Sequence, residues 1–284
     1  MFPSALANTF ARWSVDYLCR SKGNLYPICG CVPLSLSVCY TYSTSLAAGE
    51  AMQILEIYQS RQGEGIWTGQ PSVFIRFFGC PLRCRFCDTV YARSNVDEHE
   101  DGFGAALAPD EIVGRVLLLD LPHVILTGGE PMISPKIAEL TKLLKEFDYQ
   151  ITIETSGIVF QPTVCDLMSI SPKLRNTVPH GDDLAVIQEH DRERSKPEVV
   201  QQLMLRHNYQ LKFVIDTKED LYEVEEYLSH LHGVVPNRVW LMPQTVNVKT
   251  MHQKAEWIEP FCNERGYRYC PRMQLVWFGN KPRS

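Results

Sequence analysis

Short apolar runs alternate with amphipathic segments along most of the chain after residue 52. The segment at 134–147 carries Ile137, Leu140, Leu144 and Phe147 at helical spacing, which predicts a helix with one buried face. Alternation of strands and helices predicts an α/β fold with a parallel sheet and right-handed crossovers. The six predicted strands span residues 73–78, 123–126, 150–154, 167–170, 210–215 and 238–242. The predicted helices span residues 134–147, 197–207, 218–231 and 250–265.

The end of the chain and two polar stretches complete this pattern. The run at 273–278 predicts a seventh strand, or a terminal segment that closes the sheet. The stretch at 96–108 is acidic and rich in glycine and alanine, and the stretch at 176–195 is polar with two charge clusters. Both stretches are predicted to be solvated surface loops.

Composition narrows the class of protein. The 284 residues are 45% hydrophobic and 21% charged, which is a globular composition and excludes disordered and fibrous proteins. The balance of 28 Lys and Arg against 33 Asp and Glu gives a net charge of −5. The chain therefore lacks the basic field of a non-specific nucleic-acid binder, and we predict no nucleic-acid partner.

The first 51 residues differ from the rest of the chain. No charged side chain occurs between residues 23 and 49, where Pro27 and Pro33 interrupt an apolar stretch rich in Ser and Thr. A membrane span and a signal peptide compete as interpretations, but the prolines and hydroxyl residues lower the apolarity that either requires. We favour a disordered N-terminal extension, or an upstream stretch added by a misassigned start codon, at 1–51. The catalytic domain is then predicted at 52–284, with no membrane association and a cytoplasmic location.

The strongest chemical signal is a CxxxCxxC motif directly after the first predicted strand. Cys80, Cys84 and Cys87 place three thiols within eight residues, and Gly79 and Pro81 favour a loop around one metal centre. Structural zinc prefers four ligands, and no fourth His or Cys lies close in sequence. A 4Fe-4S cluster with three thiolates keeps one iron open for another ligand. The motif favours such a cluster over structural zinc or core packing.

Two further motifs follow predicted strands. Residues 127–131 read Thr-Gly-Gly-Glu-Pro, which lets a ligand approach the backbone closely or simply turns a strand into a helix. Residues 154–157 read Glu-Thr-Ser-Gly, whose carboxylate and hydroxyl suit a ribose or a helix cap. The three motifs fall at the carboxyl ends of predicted strands, where the loops of a parallel βα barrel converge on one ligand.

The cysteine motif, with the aromatic Phe86 before its third cysteine, resembles that of the radical S-adenosylmethionine (SAM) superfamily. A narrower resemblance is to the 7-carboxy-7-deazaguanine synthase family, and it covers residues 52–284. It rests on residues 60–65 (SRQGEG), Arg76, 87–89 (CDT), 127–131 (TGGEP), 154–157 (ETSG), 171–173 (SPK) and 274–281 (QLVWFGNK). The resemblance implies a partial (β/α)6 TIM-type barrel of the radical SAM type, with parallel strands.

The resemblance also implies a reaction. In this family a 5′-deoxyadenosyl radical abstracts hydrogen from C6 of 6-carboxy-5,6,7,8-tetrahydropterin. Ring contraction and loss of ammonia then give 7-carboxy-7-deazaguanine, a precursor of queuosine and other 7-deazapurines. The implied cofactors are a 4Fe-4S cluster, SAM and Mg²⁺, and the enzyme class is a radical SAM carbon–nitrogen lyase. No catalytic residue is expected beyond the radical that the cofactors generate.

Site residues can be transferred from the family position by position. The expected metal ligands are Cys80, Cys84 and Cys87 for the cluster and Thr89 for Mg²⁺. The expected SAM-binding residues are Gly129, Glu130, Glu154, Ser156, Ser171, Pro172, Lys173 and Gln244. The expected substrate-binding residues are Arg61, Gln62, Gly63, Glu64, Arg76 and Thr127. Arg76 is assigned to the substrate carboxylate, for which a guanidinium is well shaped.

Partners and departures from the family pattern complete the expectations. The resemblance implies a small-molecule pterin substrate, a flavodoxin- or ferredoxin-type reductant and a homodimer. The chain departs from the pattern at Arg61, where apolar residues are common, in an insertion after Thr89, and in the polar stretch at 176–195. Two alternatives stay open: a radical SAM activating enzyme that installs a glycyl radical, and a non-catalytic Fe-S or zinc-binding module.

Overall fold

The computed structural model describes residues 18–21, 24–27, 51–93 and 104–281. The chain divides into two units, residues 1–45 and 46–284. In the first unit, β1 (Leu18–Ser21) and β2 (Asn24–Pro27) form an antiparallel pair. Apart from β1, β2 and residue 51, the predicted disordered extension at 1–51 lies outside the described residues. The domain boundary at 51/52 stays a prediction.

A nine-stranded sheet forms the centre of the second unit, in the order β11-β10-β9-β8-β7-β6-β4-β3-β5. All neighbouring strands from β4 to β11 in this order are parallel, and β3 runs antiparallel to both β4 and β5. The strands are β3 (Met52–Arg61), β4 (Pro71–Phe77), β5 (Ala105–Leu107), β6 (His123–Gly128), β7 (Gln150–Thr155), β8 (Leu167–Ile170), β9 (Tyr209–Ile215), β10 (Val239–Pro243) and β11 (Arg268–Tyr269). The sheet is open between β5 and β11, so the predicted α/β partial barrel is confirmed.

Helices connect the parallel strands and cover the sheet. In α2, Ile137, Leu140 and Leu144 are fully buried against it, as the helical spacing predicts. The central strands are buried almost throughout, which is typical of parallel strands covered on both faces. The helices are α1 (Pro109–Leu117), α2 (Ile137–Glu146), α3 (Leu184–Glu193), α4 (Pro197–Arg206), α5 (Glu219–Ser229), α6 (Val248–Arg265) and α7 (Met273–Phe278).

The prediction of a seventh strand at 273–278 is wrong, because this run forms α7. A run of six residues that is apolar apart from Gln274 fits a strand or a helix equally well, so periodicity alone does not separate them. The tertiary structure decides between them, because β11 already occupies the sheet edge beside β10. Met273 instead donates its amide to the carbonyl of Gly63 (3.0 Å), which places the helix beside the loop after β3.

The two predicted loops also differ from expectation. The stretch at 176–195 contains α3, whose N-terminus is capped by Asp183 accepting from the amide of Ala185 (2.9 Å). Only His190 is buried in α3, and the apolar residues of the helix are confined to positions 184–187, so the sequence shows no apolar face along its whole length. In the stretch at 96–108, residues 105–107 form β5, while residues up to 103 lie outside the described part.

The parallel strands place their carboxyl ends along one edge of the sheet. The loops after β4, β6, β7 and β8 carry the CxxxCxxC, TGGEP, ETSG and SPK motifs respectively. The fold therefore brings together four motifs that are far apart in sequence. Within the described residues, the structure contains no helix with the length and apolarity of a membrane span.

Candidate active site

A cavity of about 490 Å³ lies at the carboxyl ends of the strands. Its volume is in the range of small-molecule sites in proteins. All the site residues expected from the sequence line this cavity except Glu130 and Pro172. The expected cluster loop, SAM segments and substrate loop thus share one enclosure.

The cluster loop contributes the three thiols. Gly79 begins the loop with a positive φ of 88°, a conformation that favours glycine, and its amide donates to the carbonyl of Ala92 (2.9 Å). Cys80, Cys84 and Cys87 are half-buried and line the cavity. Burial, with the nearby carboxylate of Glu130, raises the pKa of Cys80 to about 12.

The donor set fits an iron–sulfur cluster. Three soft thiol donors come from one short loop that lines the cavity, and a cluster held by three thiolates keeps one iron open to another ligand. Among the described residues, no three His, Cys, Asp or Glu side chains already lie in the geometry of a metal site. The three thiols would therefore have to turn toward a common point to hold the cluster.

Glu130 lies behind the cavity wall, 1% exposed. Its carboxylate accepts hydrogen bonds from the hydroxyl of Thr155 (2.7 Å) and from the amide and hydroxyl of Ser156 (2.7 and 2.5 Å). It also accepts from the amide of Met132 (3.1 Å). In this structure Glu130 joins the turn after β6 to the turn after β7, and its predicted contact with SAM stays a prediction.

The remaining expected SAM residues occupy neighbouring loops. The ammonium of Lys173 donates to the hydroxyl of Ser171 (2.9 Å), while Pro172 is buried between them and does not reach the cavity. Both backbone polar groups of Gln244 are hydrogen-bonded. Its amide donates to the carbonyl of Ile215 (2.8 Å), and its carbonyl accepts from the ammonium of Lys254 (2.8 Å). These contacts order the rim of the cavity through the ends of β8, β9 and β10.

Arg76 projects from β4 and is held on three sides. Its Nε donates to Glu56 (2.7 Å), one terminal nitrogen to the hydroxyl of Tyr58 (2.7 Å), and the other to the hydroxyl of Thr89 (3.4 Å). Thr89 in turn donates to Asp88 (3.0 Å). A guanidinium held in this way presents a fixed charge to the cavity beside the expected Mg²⁺ ligand.

Glu154 joins two expected substrate residues. One carboxylate oxygen accepts from the side-chain amide of Gln62 (2.9 Å), and the other accepts from the hydroxyl of Thr127 (2.7 Å). The sequence assigned Glu154 to SAM, whereas the structure places it against residues assigned to the substrate. Glu154 is thus an expected SAM residue that contacts two expected substrate residues.

The cavity residues without a role assigned from the sequence include Lys212, Arg272 and Gln274. All three surround Glu64, whose carboxylate lies 2.5 Å from the ammonium of Lys212. A signal for Lys212 was present, because a single lysine interrupts the apolar run of β9 between Leu211 and Phe213. Arg272 carried no such signal. Gln274 stood at the head of the 274–281 motif without an assigned role, since only the folded chain brings the C-terminal segment to the loop after β3.

The open α/β barrel and the three-thiol loop define a radical SAM enzyme, and residues 74–181 match the Radical SAM superfamily model. The chain is 39% identical over 237 residues to the 7-carboxy-7-deazaguanine synthase of Rhodopirellula baltica, with 83% of this chain and 90% of that protein covered. It is 32% identical over 247 residues to the enzyme of the same name from Halobacterium salinarum, covering 83% and 94%. The crystal structure of QueE from Escherichia coli superposes with a TM-score of 0.57 at 25% identity, covering 78% of this chain and 93% of that one. The chain belongs to the 7-carboxy-7-deazaguanine synthase family.

Family membership confirms the predicted fold class, the enzyme class and the dependence on a 4Fe-4S cluster and SAM. It also selects this family over the two alternatives, the activating enzyme and the non-catalytic metal-binding module. The residue assignments within the site remain predictions that the geometry accommodates.

Proposed function

We propose that this chain converts 6-carboxy-5,6,7,8-tetrahydropterin into 7-carboxy-7-deazaguanine with loss of ammonia. Its relatives are named as synthases of that product. The observation that carries the proposal is the composition of one cavity. Three thiols line it together with Arg76, Gln62 and Glu64. A carboxylated heterocycle needs such a cation together with amide and carboxylate partners.

The cluster and SAM, when bound, supply the 5′-deoxyadenosyl radical that removes hydrogen from the substrate. The chain's own residues bind and orient that substrate. Arg76 pairs with the substrate carboxylate, and its contacts to Glu56 and Tyr58 fix the direction of the guanidinium. Glu64 accepts hydrogen bonds from the edge of the pterin ring, and the side-chain amide of Gln62 donates to that edge.

Thr89 is the proposed protein ligand of Mg²⁺, and the substrate carboxylate is expected to share the ion. Its hydroxyl is 3.4 Å from Arg76 and 3.0 Å from Asp88, so a guanidinium, a hydroxyl and a carboxylate lie side by side. Mg²⁺ prefers oxygen ligands and keeps several waters, which suits a site with few protein ligands. The role of the ion is to orient and polarise the substrate carboxylate.

The wider assignments rest on the family resemblance. The working form is a homodimer in the cytoplasm, with its catalytic domain at 52–284, no nucleic-acid or membrane partner, and a flavodoxin- or ferredoxin-type protein as reductant. Light scattering of the purified protein tests the dimer. Comparison of dithionite with reduced flavodoxin and ferredoxin in the same assay tests the reductant.

The decisive experiment is an anaerobic assay of the reconstituted full chain with SAM, Mg²⁺, dithionite and 6-carboxytetrahydropterin. Mass spectrometry should detect 7-carboxy-7-deazaguanine, and the product should disappear in Cys84→Ala. Cys165→Ala is the matched control, because this thiol is half-buried outside the cavity and its loss should leave product formation intact. Formation of 5′-deoxyadenosine without a deazapurine would refute the substrate assignment and keep the radical chemistry.

A further inference from the structure

Helix α3 buries a single side chain, that of His190, which is 1% exposed. Its other side chains are exposed or half-buried, so no fully buried apolar side chain fixes the position of the helix. The imidazole instead contacts the cluster loop, where Nδ1 lies 3.0 Å from the amide nitrogen of Arg83. Arg83 stands between Cys80 and Cys84 in the CxxxCxxC motif.

The hydrogen-bond network fixes the tautomer of His190. The Arg83 amide can only donate, so Nδ1 must be the unprotonated acceptor. Nε2 lies 3.1 Å from the hydroxyl oxygen of Thr177, and that hydroxyl donates its own proton to the carbonyl of Leu174 (2.6 Å). Nε2 must therefore carry the proton and donate to Thr177. The three bonds form one directed chain from the cluster loop to the segment after β8.

The same segment also holds the second half of the cluster loop. The amide of Arg85 donates to the carbonyl of Thr177 (2.9 Å), and the Arg85 side chain donates to the carbonyl of Asn176 (3.2 Å). At the other end of α3, Arg194 donates to the carbonyl of Lys173 in the SPK motif (2.9 Å). The stretch in which this chain departs from its family thus contacts two motifs expected to bind the cofactors.

We infer that His190 is a positioning residue for the iron–sulfur cluster. By accepting from the Arg83 amide it fixes the backbone between two cysteine ligands and withholds that amide from the cluster sulfurs. Hydrogen bonds to those sulfurs and the burial of a cluster are the means by which a protein tunes its stability and potential. This inference rests on the cluster of the proposed function and needs no turnover of substrate.

Two substitutions separate the role of Nδ1 from the bulk of the side chain. The side-chain carbonyl of asparagine can take the position of Nδ1, whereas glutamine places its amide near Nε2. We expect His190→Gln to lose iron from the reconstituted cluster to a ferrous chelator about tenfold faster than the wild type, the effect of one lost buried hydrogen bond. His190→Asn should stay within about twofold of the wild type, because it keeps the acceptor.

A second readout requires no cluster. Hydrogen–deuterium exchange of the peptide that contains Arg83 should accelerate in His190→Gln and in His190→Ala but not in His190→Asn. The control is His207→Gln, directly after α4, where the imidazole lies 3.6 Å from the Cys165 thiol and outside the cavity that the cluster loop lines. This variant should leave both rates unchanged.

Equal rates of iron loss and of exchange in the Asn and Gln variants would overturn the inference, even if His190→Ala fails to fold. If the wild type makes no deazapurine but the Asn and Gln variants differ in iron loss and exchange, the proposed function is refuted and the positioning role stands. Product formation in the wild type with no difference between the variants would refute the positioning role alone.

Discussion

The ammonium of Lys212 lies 2.5 Å from a carboxylate oxygen of Glu64, with side-chain exposures of 8% and 12%. Gln274 donates to the other carboxylate oxygen (2.6 Å), and the guanidinium of Arg272 lies 3.4 Å from it. Burial alone would raise the pKa of Glu64, but Lys212 and Arg272 lower it to about 2. One ionised carboxylate therefore joins β9, the loop after β3 and the C-terminal segment at the cavity wall.

Replacement of Lys212 by methionine should destabilise the protein. Glu64 would stay buried with only Arg272 and Gln274 beside it, and removal of one partner of a buried ion pair costs roughly 3 kcal/mol or more. Urea unfolding of Lys212→Met against the wild type measures the loss. The double variant with Glu64→Gln should recover part of it, because the uncompensated carboxylate is then gone.

The control for this change is Lys136→Met on α2. Lys136 pairs with Glu139 at 3.0 Å, but the two side chains are 34% and 51% exposed. An exposed pair contributes less than about 1 kcal/mol, so this variant should unfold close to the wild type. Equal unfolding midpoints for both lysine variants would contradict the structural role assigned to the buried pair.

The sequence predicts the strands and the shared edge of the motifs because these are local features. An apolar run followed by a glycine-containing motif marks the carboxyl end of a strand wherever the chain later places it. The partners of Glu64 are not local: Lys212 and Gln274 lie 148 and 210 residues away along the chain. Their approach depends on the order of the strands in the sheet and on α7, which the sequence predicted as a strand.

Helix α3 shows the same limit from the opposite direction. Its apolar residues are confined to positions 184–187 and its only buried residue is His190, so no apolar face along the whole segment indicates a helix there. Asp183 at its N-cap was visible in the sequence only as part of a charge cluster. A helix held by polar contacts to a loop about a hundred residues earlier in the chain gives the sequence no periodic signal.

Arg76→Lys should impair turnover with little effect on folding. Lysine keeps the charge but presents a single ammonium where the guanidinium contacts Glu56, Tyr58 and Thr89 together. Loss of charge-assisted bonds to the substrate carboxylate should lower kcat/KM roughly 10- to 100-fold. Steady-state assays with varied pterin concentration measure it.

Arg206→Lys serves as the control for Arg76→Lys, because Arg206 lies exposed at the end of α4, over the ring of Phe160. This variant should keep wild-type kinetics. An Arg76→Lys enzyme with unchanged kcat/KM would show that the substrate carboxylate binds elsewhere. Cluster absorbance of the two variants should match, since neither arginine is expected to hold the cluster.

Gly129→Ala should disturb the contact between the TGGEP turn and the cluster loop. A methyl group at Gly129 would lie 2.0 Å from the carbonyl oxygen of Gly79 and 2.9 Å from that of Ala92. Both atoms are backbone, so no side-chain rotation relieves the clash, and overpacking of this kind costs roughly 1–3 kcal/mol. We expect a lower unfolding midpoint and less iron per chain after reconstitution.

Gly114→Ala is the matched control in α1, where the added methyl group meets no atom within 4 Å. Alanine is the better helix former, so this change should stabilise the protein by up to about 1 kcal/mol. Full iron content in Gly129→Ala would show that the turn and the cluster loop tolerate separation.

Stability should fall between pH 6.5 and 4 because of His123. This imidazole is fully buried, with Ser72 at Nδ1 and Thr152 at Nε2, both at 2.8 Å. Burial lowers its pKa from 6.5 to about 4, although Asp166 acts in the opposite direction. Below pH 6.5 the unfolded chain therefore takes up a proton that the folded protein excludes, and the free energy of unfolding decreases until the folded protein also binds it near pH 4. Across that range the loss is of order 3 kcal/mol.

In His123→Gln the free energy of unfolding should be lower at pH 7 but should change less with pH, and urea unfolding at half-unit pH steps measures both. Parallel pH profiles for the variant and the wild type would assign the acid sensitivity to other groups. His190 and His207 are such groups, because their pKa values are also lowered and the variant retains both.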